Sequence, residues 1–252
     1  MLEKAFAIHE ADYNVSCLLY SNGGSSIDHV IVYCHGFGGH KENAAARHFA
    51  EYVLSKHKDL AVLCFDWPCH GADVRRKLAL ADCDAYLRLV TAYARDTLGA
   101  KTFDLYATSF GAYLTLKYVS EHGSPFDKLA LRCPAVNMYE VFTANIMTEE
   151  NRALLDKGKD AMVGFDRKIR LSRAFLDELQ TSDITALSFL DWADDILILH
   201  GTKDEIVPID AVRAFADNNV IEFVPIANAD HRFIDPLLMK EAIKQIAAFF
   251  GL

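Results

Sequence analysis

The sequence predicts an α/β fold, with a mostly parallel central sheet and helices on both of its faces. Short apolar runs alternate with longer amphipathic stretches, the rhythm of strand–helix–strand units. The runs also lack strict in–out alternation, as expected of strands covered on both sides. They are His29–Cys34, Ala61–Phe65, Thr102–Ala107, Lys128–Cys133, Asp195–His200 and Val220–Pro225. Ahead of them, Ala5–His9 and Val15–Tyr20 flank the polar Glu10–Asn14 and read as an opening hairpin. Helices are expected over Asn43–Lys58, Asp82–Leu98, Phe110–His122, Ile209–Asp217 and Pro236–Phe250. In the last, Leu237, Leu238, Ala242, Ile243, Ile246, Ala247 and Phe250 recur at helical spacing.

One stretch interrupts this rhythm. Between Pro134 and Trp192 no strand is expected, only polar helical stretches such as Thr148–Lys159 and Ser172–Leu179. That is far longer than an ordinary strand–helix connection, so it reads as an inserted helical element at about 134–192. Either a lid over a site or a helical pair packed on the sheet edge would account for it. The whole of residues 1–252 is expected to form a single domain, a length common for one α/β unit.

Composition narrows the classes of function. Hydrophobic residues make up 52% of the chain, which supplies a substantial core. The net charge is −9 and no Lys/Arg run stands out, so neither a nucleic acid nor an anionic membrane is an expected partner. The opening MLEKAFAIHEAD lacks the basic-then-apolar pattern of a signal peptide, and no apolar run is long enough to span a membrane. Stable membrane insertion is therefore not expected. Six scattered cysteines, several in strand-like runs, read as free buried thiols in a reducing, cytoplasmic compartment. Cys64, Cys69 and His70 have no second ligand pair at zinc-like spacing, and no metal is expected.

Chemistry concentrates at the ends of the strand-like runs. Ala107-Thr108-Ser109-Phe110-Gly111 follows a strand and opens a helix. Such a sharp turn lifts the serine hydroxyl above the sheet and tolerates only small residues two positions away. A serine merely capping the helix would read the same way locally. His35-Gly36-Phe37-Gly38-Gly39 follows an earlier strand, and a glycine-rich loop there lets backbone N–H groups approach an oxyanion. A serine nucleophile needs a base, and His231, after the last strand and before the C-terminal helix, is the candidate. His200 ends a strand and reads as structural, His35 belongs to the glycine-rich loop, and His40, His48, His57 and His122 read as surface positions. Asp204 is the candidate acid, with Glu205, Asp210 and Asp230 as weaker neighbours. Serine, acid and histidine then occur in the chain order expected of such a site.

With these residues in place, the chain resembles the α/β-hydrolase superfamily over nearly its whole length. It is most similar to small esterases grouped with monoglyceride lipases, cinnamoyl (feruloyl) esterases and serine aminopeptidase-like hydrolases. The resemblance rests on His35–Gly39, Phe65–Gly71, the turn at Ser109, and His200-Gly201-Thr202-Lys203-Asp204 with Val207-Pro208. It departs at Ala107 and Cys69, where glycine is commoner. The resemblance implies an oxyanion hole from the N–H groups of Phe37 and Phe110, and a cap formed by the insertion.

The function expected is a serine-dependent carboxylic-ester hydrolase acting through an acyl-enzyme on a small to medium acyl or aryl ester, with no cofactor. Gly36, Tyr113, Met138 and Phe142 are expected near the substrate pocket, although those in the insertion could equally be its own core. A peptidase or amidase would use the same three residues and would call on a carboxylate such as Glu140, Glu149 or Glu150 to hold a free amine. A catalytically silent binding module is the alternative from another class. The expected partner is a small-molecule ester, and a homodimer stays open.

Overall fold

A computed structural model describes residues 1–24 and 26–252. The chain opens with β1 (Leu2–Glu10) and β2 (Tyr13–Ser21), an antiparallel pair. β3 (His29–Cys34), α1 (Ala44–Leu54), β4 (Leu60–Phe65), α2 (Leu80–Ala92), β5 (Thr102–Thr108), α3 (Phe110–His122) and β6 (Lys128–Arg132) follow. An insertion carries α4 (Met138–Glu140), α5 (Glu149–Asp156), β7 (Ala161–Val163), β8 (Ile169–Leu171) and α6 (Arg173–Thr181). β9 (Ile196–Gly201), α7 (Ile209–Asn219), β10 (Glu222–Ile226) and α8 (Pro236–Phe249) complete the chain.

Eight strands form one sheet in the order β1-β2-β4-β3-β5-β6-β9-β10. β1, β2 and β4 pair antiparallel, and every later pair is parallel. The α/β architecture with a mostly parallel sheet is thus the one the sequence predicted, opening hairpin included. β4 is buried at all six positions, which is why its sequence, LAVLCF, shows no alternation.

Two apolar layers cover the sheet. Phe49 and Val53 of α1 and Ile243 and Ile246 of α8 share one cluster with Ile31, Val62 and Leu199. On the other face, α2, α3 and α7 pack with Val32, Leu105 and Ile198. Met138, Phe142, Val163, Leu171, Phe175 and Leu179 of the insertion join that second layer. Capping side chains start several helices: Asn43 accepts from Ala46 N–H, Ser172 from Phe175 N–H, and Asp235 from Leu237 N–H with Pro236 in the first turn.

Four expectations need correction. The insertion is not free of strands, because β7 and β8 pair as an antiparallel hairpin within it. Each strand is only three residues long with a buried–exposed–buried pattern, too short for periodicity to reveal. The last strand begins at Glu222 rather than Val220, which caps α7 in the left-handed conformation. α2 begins at Leu80, and a π-helical turn over Tyr93–Thr97 continues it. His40 and His57 are half-buried rather than surface residues, whereas His48 and His122 are exposed.

All six cysteines are free, and five are buried. Among the described residues, no helix is long and apolar enough to cross a membrane.

Candidate active site

Ser109 sits between β5 and α3 with φ 51° and ψ −117°, a backbone conformation that a side chain rarely adopts. The turn is held from both directions. Ser109 N–H donates to the Arg132 carbonyl at 3.0 Å, and the Ser109 carbonyl accepts from Ala112 N–H at 3.0 Å. Gly111 makes it possible, since a Cβ there would fall 2.5 Å from the His35 carbonyl oxygen and 2.7 Å from that of Cys34. The helix can therefore start directly against the end of β3.

Asp204 and His231 reach the serine from the ends of the next two strands. Asp204 lies in the turn after β9, and His231 in the loop after β10. That loop crosses close over β9, because Gly201 presents no side chain to it: a Cβ would meet the Ala229 carbonyl oxygen at 2.3 Å. His231 Nδ1 lies 2.7 Å from Asp204 Oδ2, and His231 Nε2 lies 3.0 Å from Ser109 Oγ. An ionised carboxylate only accepts, so Nδ1 carries the proton and the bare Nε2 faces the serine hydroxyl.

The Asp204 side chain is wholly enclosed, and His231 is 13% exposed. Burial alone would raise the Asp204 carboxyl. Hydrogen bonds from His200 and His231, the charge His231 carries when protonated and the Val207 N–H overcome it and hold the carboxyl well below the usual carboxylate range. Its other oxygen, Oδ1, accepts from Ile206 N–H at 2.9 Å and Val207 N–H at 2.8 Å.

The glycine-rich loop lies beside the serine, with Gly36 so near that an added Cβ would stand 3.2 Å from Ser109 Cβ. Among the described residues, neither Phe37 N–H nor Phe110 N–H has a protein acceptor. Gly36 brings the loop that carries Phe37 beside the serine, and Phe110 follows Ser109 directly in the chain. Both belong to an aromatic group: Phe37 packs edge-on against Phe142 at 4.7 Å and Phe110 at 5.7 Å, and Phe175 meets Phe142 at 6.2 Å. Phe175, on α6 of the insertion, was not singled out from the sequence, where nothing distinguishes it from other apolar helix positions.

The remaining expected pocket residues lie mostly in the core. Tyr113, Met138 and Phe142 are no more than 1% exposed, and Tyr113 Oη donates to the Ser182 carbonyl, tying α3 to the insertion. Glu140, Glu149 and Glu150 are exposed. The hairpin loop between β7 and β8 lies over the glycine-rich loop, with Arg167 O 3.0 Å and Phe37 Cε1 3.5 Å from the Cβ positions of Gly38 and Gly164. Arg232, beside His231, reaches Asp166 of the same hairpin loop at 3.0 Å. An open cavity of about 460 Å³ near the end of α7, lined by Asp194, Asp217 and Glu222 among others, shares no residue with this site.

Donor atoms of Cys133, His200 and Asp204 lie within 4.8 Å of one another, and those of Asp84, Glu121 and His122 form a second, outer group. Cys64, Cys69 and His70 do not gather in this way among the described residues. The Asp204 carboxylate in the first group is already bonded on both oxygens.

Residues 29–183 match the family model described as alpha/beta hydrolase fold. Over 179 residues the chain is 26% identical to monoacylglycerol lipase abhd6-A of Xenopus laevis, covering 71% of this chain and 49% of that protein. The chain thus spans about half the length of that relative. Est1E from Butyrivibrio proteoclasticus, solved with ferulic acid bound, superposes with a TM-score of 0.74 at 17% identity, covering 98% of this chain and all of that one. A putative hydrolase from Agrobacterium vitis S4 gives the same TM-score at 14% identity, covering 99% of this chain and 98% of its own. At such identities the two structures speak to the fold.

Proposed function

Because the chain belongs to the alpha/beta hydrolase fold family, we propose that it is a serine-dependent carboxylic-ester hydrolase working through an acyl-enzyme. The observation that carries this reading is the unbroken hydrogen-bonded chain from Ser109 Oγ through His231 to Asp204. Esterase and lipase relatives support the reaction class.

In this mechanism Ser109 Oγ attacks the ester carbonyl carbon while its proton passes to His231 Nε2. The Asp204 carboxylate steadies the imidazolium that forms. The carbonyl oxygen, now an anion, takes hydrogen bonds from Phe37 and Phe110 N–H, for which no protein acceptor is found among the described residues. Collapse expels the alcohol, which takes the proton from Nε2. Water then repeats the sequence on the acyl-enzyme: His231 accepts a proton from the water, the acid is released, and Ser109 regains its hydrogen. Phe37, partly exposed in the loop beside the serine and backed by the buried Phe142, favours an apolar acyl or aryl group over a charged one. The three carboxylates considered for holding a free amine are all exposed, so the peptidase reading gains no support.

A fluorophosphonate probe tests the proposal, since it labels only an activated serine. The folded protein should be labelled and Ser109→Ala should not. Turnover of a short aryl ester should fall by roughly 10⁴–10⁶ in Ser109→Ala and His231→Ala. A rate within tenfold of wild type in either variant would remove that residue from the mechanism.

A further inference from the structure

His200 was read from the sequence as a structural strand-end residue, yet it stands against the acid of the site. It is the penultimate residue of β9 and is fully enclosed. Its Nε2 lies 3.2 Å from Asp204 Oδ2 and 3.0 Å from the Val207 carbonyl oxygen. Both neighbours are acceptors, so Nε2 must carry a proton. Nδ1 is left buried without a partner, as expected of the neutral ring in that tautomer. Phe223 stacks on the imidazole with centroids 6.4 Å apart, and the Arg213 guanidinium lies over the Phe223 ring at 4.7 Å. The ring is thus clamped on a rigid strand.

The carboxylate's own bonding shows what this ring does. Ile206 and Val207 N–H groups fix Oδ1, leaving Oδ2 to meet both histidines. Without His200, one side of Oδ2 would face the interior with no strong donor, an expensive state for a buried charge. Cys133, the other group close by, offers only a weak S–H. We propose that His200 is a positioning residue: its Nε2–H, bonded to the Val207 carbonyl and 3.2 Å from Asp204 Oδ2, holds the turn that carries the acid and so fixes the direction from which Oδ2 meets His231. This rests on the reading of Ser109, His231 and Asp204 as a catalytic triad.

Three substitutions separate positioning from simple filling. The amide nitrogen of Gln can occupy the place of the histidine Nε2, whereas that of Asn falls near Nδ1, and Leu fills the space with no donor. His200→Gln should keep kcat within about threefold of wild type. His200→Asn and His200→Leu should lower kcat by about tenfold or more with KM little changed, the pattern of an interaction needed in the transition state. A second readout needs no turnover: the downfield proton resonance of His231 Nδ1–H, which reports its bond to Asp204. It should persist in His200→Gln and be lost or broadened in His200→Asn. Fluorophosphonate labelling of wild type, run alongside, tests the hydrolase reading separately. If wild type is unlabelled, that reading falls while the resonance still decides the role of His200. If His200→Leu does not fold, the Gln–Asn pair carries the test. Equal kcat and equal resonances in Gln and Asn would overturn the proposal, as would a Leu variant with wild-type kcat.

Discussion

Burial pushes the His70 imidazole down to about 4, and burial together with the neighbouring His70 lowers His35 as well. Each has a fixed place for its one N–H, His70 donating to the Pro68 carbonyl and His35 to that of Gly36, both at 2.8 Å. An unfolded histidine titrates near 6.5, so below that pH the unfolded chain binds protons that the folded one refuses. The stability is complete above about pH 6.5 and falls as pH drops towards 4, by roughly 1.4 kcal/mol per pH unit for each histidine. Asp204, also shifted down but from a lower starting value, adds its own loss only below the ordinary carboxylate range. Urea titrations at pH 7, 6 and 5 should show this slope. His70→Asn, which keeps a donor for Pro68 but cannot titrate here, should make it about half as steep; an unchanged slope would exclude His70 as a source. The residues that come together at the site were largely legible one by one. Ser109, Asp204 and His231 each follow a strand and sit beside small or turn-forming residues. The 3.2 Å approach of His200 to Asp204 and the place of Phe175 were not legible, because one depends on the exact course of the turn after β9 and the other on how separate elements pack.

At the scale of the element, the turn from β5 into α3 is tightly constrained. Its tight φ at Ser109 and the contact of Gly111 with the end of β3 are one feature: the helix must start where another strand's carbonyls already lie. Gly111→Ala should therefore lower stability by about 1–3 kcal/mol, the usual cost of overpacking, measured as a lower urea midpoint. It should also weaken ester turnover, because the displaced His35 carbonyl leads into Gly36 and Phe37. A variant with wild-type midpoint and rate would mean that the loop yields freely. The periodic stretches of the body gave their elements within a few residues, and Phe110–His122 coincides end for end. The insertion was read less well. Its hairpin strands, three residues each, are too short for a repeat to stand out in the sequence, and its helices pack their inner faces on a core shared with the rest of the chain.

For the whole molecule, the sheet order decides which parts can part company. β3 and β5 lie in the middle, whereas β10 is an edge strand paired only with β9 and half open to solvent. His231 hangs from the end of that edge strand. Opening of β10 with its loop needs fewer broken contacts than unfolding the centre, and it would carry His231 away from Ser109. Ester hydrolysis should accordingly be lost at a lower urea concentration than far-UV circular dichroism, with activity returning on dilution. Coincident transitions would show that the edge opens only with the core.

The position of the insertion in the chain has a consequence for the order in which the protein is made. Ser109, Phe37 and Phe110 all precede it, while Asp204 and His231 both follow it. Under the proposed mechanism, a growing chain that has emerged only as far as the insertion holds the nucleophile and its anion donors but no base. Such a chain would stay chemically idle until β9, β10 and the loops that follow them have emerged.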